Sequence, residues 1–143
     1  MKTRSTIATA ASLLAACVLP LASASAHEGH DHKGPAPEAG SSAEAWTKAQ
    51  ESFKALQAAA TAKQQQAIHN EQEKLVSYLK LIQEKGVGGT DKARLDGAIK
   101  NAIAASDKVH AAADANDFAK VEPSMKTLEA TMGLVEKQLT TTK

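Results

Sequence analysis

This chain of 143 residues is long enough for one small domain, and its composition favours helices over a sheet. Alanine is abundant, whereas aromatic side chains make up only 3% of the residues, which argues against a large buried pocket. The 17 basic and 16 acidic side chains nearly balance. This balance argues against a nucleic-acid-binding protein, because such proteins carry a strongly basic surface.

The N-terminal segment has the pattern of a secretory signal peptide. Lys2 and Arg4 precede an apolar run over residues 7–22, and small residues suited to cleavage follow it. This run of 16 residues is shorter than the roughly 20 that a membrane-spanning helix needs. We predict cleavage after Ala24 or Ala26, export to the periplasm and no transmembrane segment in the mature chain.

Cys17 is the only cysteine, and it ends a Leu-Ala-Ala-Cys sequence that resembles a lipobox. A lipid anchor at Cys17 is therefore the alternative to plain cleavage. Plain cleavage removes Cys17 together with Lys2 and Arg4, which leaves 15 of the 17 basic residues against 16 acidic ones. Such a mature chain has no thiolate for zinc binding or redox chemistry.

Residues 27–42 are polar and rich in glycine and proline, and we predict a disordered tail. His27, His30 and His32 lie within six residues of one another in this tail. Neutral imidazole is a ligand for copper, zinc and nickel, so the three histidines are the first candidate metal site. The alternative is a leader that only keeps the N-terminus solvated.

The first helix is predicted to begin at Ser41, because Ser41 and Glu44 form a capping-box pattern. The second is predicted to end before the glycine-rich sequence 85–90. In both, apolar residues recur at the helical spacing of three and four residues. They are Trp46, Ala49, Phe53, Leu56 and Ala60 in the first helix, and Ile68, Leu75, Leu79 and Ile82 in the second.

Thr90 is predicted to cap the third helix, and Asn116 or Asp117 is predicted to open the fourth. Pro123 falls in the second turn of the fourth helix, where it removes one backbone hydrogen bond and is expected to kink the helix or delay its start. The apolar residues are Leu95, Ile99, Ala102, Val109 and Ala113 in the third helix, and Phe118, Val121, Met125, Leu128, Met132, Val135 and Leu139 in the fourth.

A shift of 53 residues aligns the two halves of the helical region without a gap. We therefore predict an all-α, antiparallel four-helix bundle over residues 43–141, built from a duplicated helical hairpin. The alignment places Gln65 and Gln72 at the positions of Phe118 and Met125. The side of the second helix that is predicted to face the core is therefore more polar than that of the fourth. This polar face is predicted either to lie near the end of the bundle or to form a homodimer contact.

His69 and His110 are the other two histidines, and each has a carboxylate four residues later, Glu73 and Asp114. This spacing places each histidine and its carboxylate on one face of a helix. These four residues are the secondary candidate metal site. The alternative is that each pair forms a hydrogen bond or ion pair at the flank of the bundle.

Met125 and Met132 are potential ligands of haem or Cu(I), but they fall in the apolar stripe of the fourth helix, which favours core packing. The sequence has no Ser-His-carboxylate order, phosphate loop or paired-histidine enzyme motif. We therefore predict a protein that is not an enzyme.

The secretion signal, the His-Glu-Gly-His-Asp-His tail and the alanine-rich bundle resemble small periplasmic proteins of Gram-negative bacteria. Residues 43–141 also resemble the periplasmic b-type and c′-type cytochrome bundles. The chain departs from both, since it lacks a Cys-x-x-Cys-His attachment motif, a methionine in the first helix and a histidine in the fourth. The resemblance therefore implies the fold, and haem is not expected.

Together these patterns predict a periplasmic protein that binds or buffers copper, zinc or nickel through its N-terminal histidines. One alternative is a haem-binding or electron-transfer bundle that uses a pair among His69, His110, Met125 and Met132. The other is an interaction or stress protein that works without metal.

Overall fold

The computed structural model describes residues 39–141, and within them the chain forms four α-helices and no strand. The helices are α1 (Ser42–Thr61), α2 (Gln65–Lys85), α3 (Lys92–Asp114) and α4 (Phe118–Thr140). The predicted all-α fold is confirmed. The predicted signal peptide, Cys17 and the histidines of the tail lie outside the described residues.

The four helices pack as two antiparallel hairpins. α1 packs mainly on α2 and α3 mainly on α4, while α2 and α3 form a smaller contact between the hairpins. α1 and α4 touch at only a few positions, and a groove runs between them. The two hairpins are therefore held together chiefly along α2 and α3. Among the described helices, none is both long enough and apolar enough to cross a membrane.

The two hairpins turn in the same way. Residues 62–64 and 115–117 form the turns, and their middle residues, Lys63 and Asn116, have φ angles of 55° and 54°. The N–H of Lys63 donates to the carbonyl of Ala60 at 3.1 Å, and that of Asn116 donates to Ala113 at 2.8 Å. These equivalent residues are 53 positions apart, so the repeat predicted from the sequence is present in the backbone.

The apolar faces predicted for α2, α3 and α4 form the core. Every residue predicted for the faces of α2 and α3 is buried, and on α4 only Phe118 and Leu139, at its two ends, are partly exposed. Gly86 ends α2 with a φ of 67°, so the predicted glycine stop is confirmed. Local periodicity is sufficient here because large aliphatic residues lie on one side of each helix.

The face of α1 is rotated from the predicted one. The buried positions are Ala45, Ala49, Ser52, Leu56 and Ala59. Trp46 and Phe53, which were predicted to lie in the core, are only partly buried and pack against its edge, along the groove between α1 and α4. The small residues let α1 approach its neighbour closely, and the aromatic rings occupy the side where α4 is more distant.

Capping agrees with the sequence at α1 but not at α3. Ser41 Oγ accepts the N–H of Glu44 at 3.2 Å, as the capping-box pattern predicted. Thr90 was predicted to cap α3, but Asp91 does so, and its Oδ1 accepts the N–H of Arg94 at 3.3 Å. A carboxylate is a stronger acceptor than a hydroxyl for the N–H groups of a first turn, which explains the difference.

Pro123 lies inside α4 without delaying the start of the helix. Asp117 caps α4, and the helix runs from Phe118 through Pro123 to Thr140. Pro123 has no N–H to donate, so the carbonyl of Ala119, four residues earlier, has no partner within the helix. Ala119 lies on the exposed side of the helix, where water can reach this carbonyl. The predicted delay of the helix start is therefore wrong. Of the two residues predicted to open α4, Asn116 and Asp117, it is Asp117 that does so.

The faces of α4 predict a contrast between two leucines. Leu128 is completely buried, so Leu128→Ala should lower the free energy of unfolding by about 2–5 kcal/mol, because it removes apolar contacts and leaves a cavity. Leu134 is 49% exposed, and Leu134→Ala, the same chemical change on the same helix, should have a much smaller effect. Denaturant unfolding measures both. Equal losses would mean that α4 presents a different face to the core.

Asp117 makes the start of α4 sensitive to acid. The side-chain hydrogen bond from Lys120 lowers the pKa of Asp117 below its ordinary value of 3.8. A carboxyl whose pKa is lower in the folded chain stabilises the fold above its unfolded pKa, and this stabilisation is lost as pH falls through the folded pKa. Asp117→Asn keeps a capping oxygen but does not titrate. Between about pH 5 and about pH 2.5, the variant should therefore lose less stability in thermal melts than the unaltered chain; identical losses would contradict this.

Candidate metal centre

A row of polar side chains lies between α2 and α3, and we call it the polar seam. Its members are Gln65, His69 and Gln72 on α2 and Ser106, Asp107, His110 and Asp114 on α3. Gln65 Nε2 donates to the carbonyl of Asp114 at 3.3 Å, which fixes one end of the seam. The polar face predicted for the second helix therefore lies against α3 of the same chain, and its centre, Gln72, is completely buried.

The two histidines of the bundle contact each other across the polar seam. His69 Nδ1 lies 2.9 Å from His110 Nε2, and the ring planes meet at 77° with their centroids 4.4 Å apart. The side chains of His69 and His110 are 34% and 14% exposed. The pair is thus held by two packed helices. It remains open to solvent on one side, so an ion from solution can reach it.

A carboxylate lies beside each histidine. His69 Nε2 is 3.1 Å from Glu73 Oε1, and His110 Nε2 is 2.8 Å from Asp114 Oδ2. The two pairs predicted from the spacing of four residues are therefore formed. The sequence did not predict that they would face each other, because that depends on how α2 and α3 are rotated and aligned.

Gln72 supports His110 from the interior of the bundle. His110 Nδ1 lies 3.1 Å from Gln72 Oε1. Gln72 Nε2 donates to Ser106 Oγ at 3.2 Å and to Asp107 Oδ1 at 3.0 Å. Sequence reasoning missed this support, although the repeat had already shown Gln72 to be a polar residue on an apolar face.

The hydrogen-bond geometry favours a cation between the histidines. Two neutral imidazoles carry one ring N–H each, and the contacts of His110 with Gln72 and of His69 with Glu73 use both. Two nitrogen lone pairs then face each other 2.9 Å apart. This arrangement repels unless a proton or a metal ion lies between the nitrogens, and the two carboxylates add negative charge that favours the cation.

The distances suit a metal ion after a small adjustment. The ligand atoms of His69, His110 and Asp114 all lie within 4.8 Å of one another. Zinc–nitrogen bonds of about 2.0–2.1 Å at tetrahedral angles separate neighbouring ligands by roughly 3.3 Å. The observed separations of 2.9 and 2.8 Å need to widen by a few tenths of an ångström, and the separation between His69 and Asp114, which is bounded only by 4.8 Å, has to come to about the same 3.3 Å.

The structure separates the remaining candidate residues. Met125 and Met132 are buried on α4 and line the groove between α1 and α4, so they are core residues as predicted. His69 and His110 contact each other directly in the polar seam. His27, His30 and His32, the first candidates for metal binding, lie outside the described residues.

Comparison of the chain with known protein families, with curated proteins and with solved structures gives no match. The described residues have an all-α, four-helix architecture, and none of these comparisons supports the likeness to periplasmic cytochrome bundles. What the protein does has to follow from the chemistry of the polar seam.

Proposed function

We propose that the protein binds a divalent transition metal ion at a centre formed by His69, His110 and Asp114, with Glu73 beside it. The observation that supports this proposal is the convergence of three ligand atoms within 4.8 Å, from residues on two different helices. Two imidazoles and a carboxylate form a ligand set suited to zinc, copper and nickel. In direct competition copper(II) should bind most tightly, because it heads the order of affinities for such ligands.

The surroundings of the centre support a binding role over a purely structural one. Packing alone would favour apolar residues between α2 and α3, as in the rest of the core. Instead the seam buries Gln72 and Ser106, which must form hydrogen bonds to offset their loss of water. These bonds lead directly to His110. Metal ligands are commonly held in this way by a second layer of hydrogen-bonded residues.

The proposal includes the N-terminal histidines as a second metal-binding segment. His27, His30 and His32 are closely spaced in the sequence, and several imidazoles can bind one ion together. The preceding secretion pattern favours the periplasm, with a lipid anchor at Cys17 as the alternative. We therefore propose a non-enzymatic periplasmic protein that binds or buffers metal at two places. Whether it forms a homodimer stays a prediction.

Calorimetry of four full-length proteins tests whether there are two separate sites. The first is the unaltered chain, the second has His27, His30 and His32 replaced by alanine, the third carries His69→Gln with His110→Gln, and the fourth combines all five changes. We expect two classes of zinc(II) or copper(II) binding in the first protein and one class in each of the next two. The fourth should bind no metal tightly. If the second and fourth proteins bound metal equally, the centre in the bundle would be disproved.

Thermal unfolding distinguishes the two sites independently of affinity. An ion that binds only the folded bundle stabilises it, by about 2.7 kcal/mol when the free metal is 100 times the dissociation constant. An ion on a tail outside the core contributes little to folding. Zinc(II) should therefore raise the melting temperature of the protein without tail histidines but not that of the His69→Gln, His110→Gln protein. The reverse pattern would place the stabilising site in the tail.

A further inference from the structure

We infer that Gln72 is a positioning residue of the metal centre, and that it fixes His110 so that Nε2 binds the ion. The inference rests on the proposed metal function, but its first step concerns the metal-free protein.

The orientation of the Gln72 amide follows from its two partners on α3. The hydroxyl of Ser106 donates its only hydrogen to the carbonyl of Ile103 at 2.8 Å, so Ser106 Oγ accepts from Gln72. An ionised Asp107 carboxylate can only accept. Both amide hydrogens of Gln72 therefore point to these two oxygens, and the amide oxygen must point the other way, towards His110.

This orientation selects the tautomer of His110. Gln72 Oε1 can only accept a hydrogen bond, so His110 Nδ1, at 3.1 Å, must carry the hydrogen. In a neutral imidazole the other nitrogen, Nε2, then carries the lone pair. The carboxylate of Asp114 competes for a hydrogen on Nε2, but its side chain is 53% exposed and water can satisfy it, whereas the Gln72 amide is completely buried and has no such substitute. Nε2 is also the atom that lies 2.9 Å from His69 Nδ1 and 2.8 Å from Asp114 Oδ2. The buried amide thus directs the lone pair of His110 into the centre.

Core packing does not account for a glutamine at this position. Gln72 is completely buried, and its equivalent in the second hairpin, 53 residues later, is the buried Met125. A methionine occupies the equivalent position on α4, where it lines the groove to α1, and at the position of Gln72 it would avoid the cost of removing an amide from water. The amide does what methionine cannot do, which is to hold the ring of His110.

The test compares variants of the full-length chain whose three tail histidines are replaced by alanine. Gln72→Met keeps the size of the side chain and removes the acceptor. Gln72→Glu, made together with Asp107→Asn so that two carboxylates do not meet, keeps an acceptor oxygen. Gln66→Met makes the first of these changes on the exposed face of α2, where Gln66 bonds Asn70, and serves as the matched control.

Nitrogen-15 NMR of the metal-free proteins, under alkaline conditions where imidazole is neutral, reports the tautomer of His110. The Nδ1–H form should dominate in the reference protein and in Gln66→Met, decline in Gln72→Met and return in Gln72→Glu with Asp107→Asn. Zinc(II) affinity should fall roughly 10–100-fold in Gln72→Met, as for other residues that orient metal ligands, and not in Gln66→Met. In the zinc-bound reference protein, His110 should be coordinated through Nε2.

An unchanged tautomer in a folded Gln72→Met protein would overturn the inference, as would coordination of zinc through His110 Nδ1. If Gln72→Met did not fold, loss of the Nδ1–H form in Ser106→Ala with Asp107→Ala would support the inference, and its retention would overturn it, because these changes remove both acceptors that hold the amide and leave it free to flip. Absence of zinc binding in the reference protein would disprove the proposed function instead. The tautomer measured without metal would still decide the role of Gln72.

Discussion

The contact between α2 and α3 is the constraint on which the rest of the structure depends, because α1 and α4 add few contacts between the two hairpins. Part of this contact is polar. Gln72 is buried, and an unpaired amide there would cost free energy, so the hairpins must meet where Gln72 finds Ser106 and Asp107. The same alignment brings His69 to His110. An ion bound between these histidines would link the hairpins, so that its binding free energy would also stabilise their contact.

The internal repeat shows how residue identity makes one interface a candidate metal centre and leaves the other a groove. A shift of 53 residues places Glu122 at the position of His69 and Gln57 at that of His110. Gln57 and Glu122 line the groove between α1 and α4, which has a volume of about 440 Å³ at this end. The helices and turns are equivalent in the two hairpins, so the backbone alone does not create the site. The two imidazoles do, because they contact each other across the seam.

Much of the fold follows from local features of the chain. The aliphatic stripes of α2, α3 and α4 predicted their buried faces, and Ser41 and Asp117 marked two helix starts. The face of α1 was less predictable. Alanine and serine fill its buried positions, while Trp46 and Phe53 lie at the edge, because close helix packing favours small residues over large ones. Hydrophobicity does not by itself indicate how closely two helices approach, so the rotation of α1 could not be read from its pattern.

The sequence by itself determined the four helices of residues 39–141, the repeat of the hairpin, and the pairing of each bundle histidine with a carboxylate four residues later. The helices and the histidine–carboxylate pairs depend on neighbours within one or two helical turns, and the repeat follows from comparing the two halves of the sequence. Only the tertiary structure decided that His69 meets His110, 41 residues further along the chain, and that Gln72 supports His110 from the core. Such contacts depend on the rotation and alignment of α2 against α3. These are set by the packing of the whole bundle, and the spacing of residues within either helix does not encode them.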